Sequence, residues 1–196
     1  MAHMSLGNVY NELGQIVDAY ERFRSAMNLD PLHPTIALNL AQASLKLGLA
    51  QRAEEYLNRA QSLAPDHTFL FGFRAVVYIS DGDKAAAGRL LEEWQAQPAP
   101  LAHSNTPDSR NRAIACGMLS VFLDRARVAA DCLGELLETT TADALGPQYH
   151  LLALTHLAWA KEQLGEADQA FDLRQRAAHA AERARELQPN LSLIHI

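Results

Sequence analysis

The chain has 196 residues, 48% of them apolar, which is enough to bury a core and too much for wholesale disorder. Its formal net charge of −6 argues against a nucleic-acid binder, which normally shows a basic face or stripe. No apolar run reaches the ~20 residues of a membrane-spanning helix, so no membrane insertion is expected in this segment.

From the N-terminus onward, one interval organises the chain. Gly14, Gly48 and Gly82 recur every 34 residues, as do Ala19, Ala53 and Ala87, and Pro31 and Pro65 keep the same spacing. A fixed period of this length marks stacked helical hairpins. In the first hairpin, Leu6, Tyr10 and Leu13 follow the spacing of one buried helix face. Small residues at Gly7, Ala19 and Ala26 let two helices cross closely. Gly14 suits the left-handed position that closes the first helix, and Pro31 ends the second. One hairpin cannot bury its apolar face alone, so neighbours must stack on it.

These residues resemble the tetratricopeptide repeat family, whose pattern runs Trp-x2-Leu-Gly-x2-Tyr, then Ala-x3-Phe, then Pro. The first repeat carries Leu6-Gly7, Tyr10, Ala19, Phe23 and Pro31 at those spacings, with His3 in place of the tryptophan. The second carries Leu40-Ala41, Ala53, Leu57, Ala60 and Pro65; the third carries Phe71, Ala75, Tyr78, Ala87 and Leu91. The resemblance implies an all-α fold, a right-handed superhelical solenoid of about five antiparallel helix hairpins. It covers about half the chain well and the rest as degenerate repeats.

On this reading residues 1–101 hold three regular repeats and 102–109 a loop, the end of the proline-rich stretch Gln97–Asp108. Trp94 and Arg74, at sites where the family favours a small residue and a leucine, are expected to disturb the stacking there. Residues 110–143 form a looser hairpin and loop, with Gly117, Ala129 and Leu133 at the small, small and large sites. Asp124 stands where the turn glycine is expected, and Thr139–Pro147 reads as a second loop. Residues 144–190 form a last hairpin whose second helix runs about two turns beyond the family norm.

Residues 191–196, LSLIHI, are what CTGTCTCTTATACACATC encodes, a DNA that resembles the mosaic end of a transposon adapter; a native apolar tail is the other reading. With the tail set aside, Asn190-Leu191-Ser192 carries no meaning as a glycosylation sequon. Met1 falls one residue inside the first repeat, so a fragment open at both ends is expected. Among the 17 basic residues only Lys46, Lys84 and Lys161 are lysine, a bias that fits bacterial GC-rich coding sequence.

The search for chemistry finds no catalytic constellation. His33 and His67 occupy equivalent sites in adjacent repeats, roughly 8–10 Å apart and too far to share a metal. His150 and His156 are six residues apart and face different ways on a helix. Surface or groove histidine is the preferred reading over metal. Cys116 and Cys132 read as small buried hydrophobes with free thiols in a reducing compartment, with a disulfide as the alternative. Phosphate loops, nucleophile elbows and dinucleotide fingerprints are absent from the sequence. The expectation is a non-enzyme with no cofactor, no metal and no small-molecule substrate. The charged helix Ala167–Leu187 reads as an exposed helix laced with ion pairs, or else as a partner helix.

One branch of the family grips the terminal carboxylate of chaperones with two asparagines and three cations. Its asparagine sites fall on Asn8 and Asn39, which match, but its cationic sites fall on Met4, Phe69 and Phe73. Without those cations such a clamp is not expected. In its place, Phe69, Phe73 and Val76, continued by Ile114, Met118 and Trp159, would form an apolar stripe along the first helices, with Asn8, Asn39 and Gln42 as polar contacts at one end. The stripe suits a peptide or amphipathic helix, unless the fourth hairpin or the last helix folds over it. The function expected is a cytoplasmic protein-binding scaffold. The alternative is a regulatory or dimerising module of a larger bacterial signalling enzyme or transcriptional regulator.

Overall fold

The computed structural model describes residues 2–67, 69–96 and 107–187, and every regular element among them is a helix. In order these are α1 (Ala2–Glu12), α2 (Ile16–Leu29), α3 (Pro34–Lys46), α4 (Ala50–Leu63), α5 (Leu70–Asp81), α6 (Lys84–Gln95), α7 (Pro107–Phe122), α8 (Ala126–Thr139), α9 (Ala142–Leu145), α10 (Pro147–Gln163) and α11 (Ala167–Leu187). The chain divides into two compact units, with the boundary between Asp81 and Gly82. The block of residues 1–101 read as three regular repeats spans that boundary. Its third repeat is split, because α5 packs on α3 and α4 in the first unit while α6 packs on α7 in the second.

In the first unit α1 pairs with α2 and α3 with α4, and α2 lies against α3. Gly7 decides how closely α1 meets α2, since a Cβ there would lie 2.5 Å from the Phe23 ring, itself fully enclosed. Tyr20, Phe23, Ala26, Ile36, Leu40 and Ala43 form one core. Leu38, Ala41, Leu57, Leu70 and Val77 form the next. Arg74, at a usual leucine site, turns its guanidinium outward to donate to Asn58, Gln61 and Tyr78, so no charge enters the core.

In the second unit α7 pairs with α8 and α10 with α11, and α8 lies against α10. Their shared core holds Leu133, Leu136, Leu154, Leu157 and Leu173. Two expected loops hold more helix than the sequence suggested. α7 already begins at Pro107, inside the segment read as loop through 109, while 97–106 lies outside the described residues. Between Thr139 and Pro147 sits the single turn α9, capped by Thr141, whose hydroxyl accepts from the Ala144 N–H. Pro147 then opens α10 at a position where no intrahelical N–H is needed. α11 has 21 residues against 14 in α2, α4 and α8. The tail 191–196 lies outside the described residues.

Five hairpin turns share one backbone device. Gly14, Gly48, Gly82 and Gly165 have φ between 72° and 79°, and Asp124 takes the same left-handed region at φ 57°. At four of them the next N–H reaches back across the helix end to the fifth residue before it: Gln15 to Tyr10, Leu49 to Ser44, Arg125 to Ser120 and Glu166 to Lys161. This is the Schellman closure, which satisfies carbonyls the helix end leaves open.

Candidate functional site

The candidate surface in the first unit is built from α1, α3 and α5, each the first helix of its repeat. Helical periodicity puts Asn8 and Asn11 on one face of α1, and Asn39, Gln42 and Lys46 on one face of α3. The two helices run in a register that pairs them. Asn39 Nδ2 donates to Asn8 Oδ1 at 3.2 Å, Asn11 Nδ2 reaches Gln42 Oε1 at 3.5 Å, and Lys46 Nζ donates to Asn11 Oδ1 at 2.8 Å. Partial desolvation holds the Lys46 ammonium below the usual lysine range. The result is a row of amides ending in one ammonium, able to donate and accept along its length.

Phe69 lies one residue before α5, not within it, yet its carbonyl accepts from the Phe73 N–H, so the pair keeps helical spacing. Their ring centroids are 6.3 Å apart, and His67 stands 5.8 Å from Phe69 on its other side. Phe69 is 43% exposed, whereas Phe73 leans on the first unit's core and Val76 is half-buried. α5 packs against α3, which sets the aromatic pair and the amide row on neighbouring helices.

The remaining expected stripe residues belong to the second unit. Ile114 is buried there at 4% exposure, and Met118 and Trp159 pack against the same core. Sequence reasoning missed Asn11 and Lys46. A signal was present, because Asn11 precedes Gln42 by the same 31 residues that separate Asn8 from Asn39.

Cys116 and Cys132 correct an expectation. They are not free thiols but a disulfide joining α7 to α8. The cause lies next to them. A Cβ on Gly117 would meet Leu133 at 2.5 Å, so the helices touch where the cysteines face each other, and their Cα atoms stand 6.3 Å apart. That separation is within the span a disulfide bridges.

Other titratable groups serve the fold. Burial, and then the hydrogen bond shared with Tyr20, pushes the Tyr56 phenol up to about 12, with Arg52 donating to Tyr20 at 3.2 Å. Burial lowers the pKa of His156, whose Nδ1 lies 2.8 Å from the Leu152 carbonyl. Among the described residues no group of three or more His, Cys, Asp or Glu side chains converges on a metal-sized site. No described helix is long and apolar enough to cross a membrane.

Residues 10–75 match the family model described as tetratricopeptide repeat. The chain is 29% identical over 92 residues to the tetratricopeptide repeat-containing protein trd-1 of Caenorhabditis elegans. That stretch is 47% of this chain and 12% of that protein, so the chain spans only a small part of its relative. Among solved structures, a thermophilic TPR protein of Thermus thermophilus superposes with a TM-score of 0.67 at 20% identity, over 92% of this chain and 97% of that one. MamA from Desulfovibrio magneticus gives 0.62 at 14% identity, over 93% and 94%. TPR-like repeats of a putative kinesin light chain from Podosopora anserina give 0.63 at 18%, over 94% and 95%. At these identities the likeness to the structures is one of fold.

Proposed function

This chain belongs to the tetratricopeptide repeat family through residues 10–75, and from that premise we propose that its first unit binds a protein partner laid along α1, α3 and α5. The carrying observation is the amide row of Asn8, Asn39, Asn11 and Gln42 beside the exposed Phe69. Side-chain amides donate and accept at once, so they suit the alternating N–H and C=O groups of an extended peptide. Phe69, backed by Phe73 and Val76, offers an apolar anchor point of the kind that dominates small interfaces. Ile114, Met118 and Trp159 contribute to the second unit's core, so the reading rests on Asn8, Asn39, Gln42, Phe69, Phe73 and Val76. Met4, Phe69 and Phe73 offer no cation to a terminal carboxylate, which sets this surface apart from the chaperone-tail clamp. The role is that of a scaffold and involves no catalytic step. The small share of trd-1 that matches favours a repeat module acting inside a larger protein.

Selection of a displayed random-peptide library on the whole chain tests this reading. Phe69→Ala and Asn39→Ala should each weaken the selected peptides by about tenfold or more, the loss expected on truncating an interface anchor. Phe69 is the better probe than Phe73, because Phe73 also supports the core. Unchanged affinity in both variants would move the binding surface elsewhere.

A further inference from the structure

Each unit sets the second helices of two successive hairpins on either side of a first helix. α2 and α4 flank α3, and α8 and α11 flank α10. Counted from the left-handed residue of each hairpin, Tyr20, Arg24, Arg52 and Tyr56 correspond to Ala130, Gly134, Gln169 and Leu173. In the first unit these four side chains close the cleft over α3. The hydroxyls of Tyr20 and Tyr56 meet across it at 3.3 Å, and Arg52 donates to Tyr20 at 3.2 Å. Arg24 lies 6.0 Å from the centre of the Tyr20 ring and pairs with Glu21 at 3.1 Å.

In the second unit all four counterparts are smaller, and the cleft is an open groove of about 760 Å³. Ala130, Gly134, Gln169 and Leu173 all line it, with the buried Leu157 of α10 in its floor. A Cβ on Gly134 would meet nothing within 4 Å, so packing does not require this glycine, although glycine weakens a helix interior. Both walls belong to hairpins of this chain. A hairpin added after α11 would stack as α3 does on α2, against the side of α11 that carries Phe171. The groove wall of Asp168, Asp172 and Arg176 lies on another side of that helix and would stay open.

Charge changes together with volume. Glu21 and Glu55 correspond to Asp131 and Asp172, while Ser25, Asn28 and Gln51 give way to Glu135, Glu138 and Asp168. Of the two cations along the groove, Lys161 bonds Glu166 at 2.7 Å and Arg176 stands 3.8 Å from Asp172. Asp131, Glu138 and Asp168 have no cation partner among the described residues. Asp131 shows why, since Gly134 stands where its counterpart Glu21 finds Arg24.

We propose that this groove docks a cationic segment of a partner protein. Its arginines take the places that Arg24 and Arg52 hold in the first unit, and an aromatic side chain rests on Leu157 and Leu173. The guanidinium groups donate to Asp131, Glu138 and Asp168, as Arg24 donates to Glu21. This chain does not supply the cations itself, because residues 97–106 and 188–196 contain no lysine or arginine. The groove shares no residue with the amide row of α1 and α3.

Fluorescence anisotropy tests the proposal, with the full chain titrated into a labelled peptide of alternating arginine and tyrosine. At about 0.15 M salt, attraction to distant charges is screened. The peptide should bind, and one with glutamate in place of each arginine should not. Gly134→Gln places a neutral side chain in the groove and should weaken binding by about tenfold or more, with helicity by circular dichroism retained. Asp131→Asn with Glu138→Gln should weaken it similarly. Asp18→Asn with Glu55→Gln removes equal charge from exposed sites of the first unit and should leave the affinity unchanged, as should Phe69→Ala. An arginine peptide that does not bind overturns the proposal. So does full affinity in the Gly134→Gln chain, or equal weakening by the two pairs of charge changes. Spermine that competes at the peptide's own concentration also overturns it, by making the occupant a small polycation.

Discussion

Gly117 and Leu133 meet where α7 crosses α8, and the space for a side chain at residue 117 is already taken by the fully enclosed leucine. Gly117→Ala therefore forces either the leucine off its rotamer or the helices apart. The expected cost is about 1–3 kcal/mol, read as a lower urea midpoint, despite the better helix propensity of alanine. A raised midpoint would show that the crossing has slack. Gly134, with open space around its Cβ position, is the matched control and should gain from the same change. At this scale the 34-residue period made several residues legible. Asp124 was recognisable as a stand-in for the turn glycine, and it does adopt the left-handed backbone. The cysteine pair was read as free thiols by default, because placing both on the facing helices of one hairpin does not tell how closely those helices approach. The contact beside Gly117 is what brings the two Cα atoms within reach.

Among the elements, the α7–α8 hairpin is the one held covalently. Its disulfide closes a loop with a sequence separation of 16 residues, for which the chain-entropy model gives about 3 kcal/mol. The protein, denatured without reductant, should show no reactive thiol. The double variant Cys116→Ala with Cys132→Ala should lower the urea midpoint by a fraction of that figure. Two thiols titrating on denaturation would return the pair to the free state first expected from sequence. The hairpins that carry apolar periodicity and a closing glycine were legible as helix pairs. α9 was not, because ADAL is too short to show a period and its start is set by the Thr141 cap. The early start of α7 at Pro107 was hidden by the prolines and polar residues that normally signal loop. The amide row between α1 and α3 was half legible. Asn8 and Asn39 matched a family position, whereas Asn11 and Lys46 emerge only when the helices are set side by side.

For the whole molecule, sequence periodicity suggested a helical solenoid, and within it the helices group into two compact units divided after Asp81. Nothing local marks that boundary, since Gly82 has the same left-handed backbone as Gly14 and Gly48. The division shows itself in which helices α5 and α6 each pack against, and that information is non-local. It also carries an expectation for unfolding. The chain's two tryptophans, Trp94 and Trp159, and its one pair of cysteines all lie in the second unit. Reductant should therefore weaken that unit selectively. In a urea titration the tryptophan fluorescence midpoint should fall on reduction, while the helical circular dichroism signal, drawn from both units, becomes biphasic and keeps its other phase in place. Separate transitions of this kind are what departure from two-state behaviour looks like when domains unfold independently. If fluorescence and circular dichroism shift together as one transition, the units are coupled strongly enough to unfold as a single cooperative body.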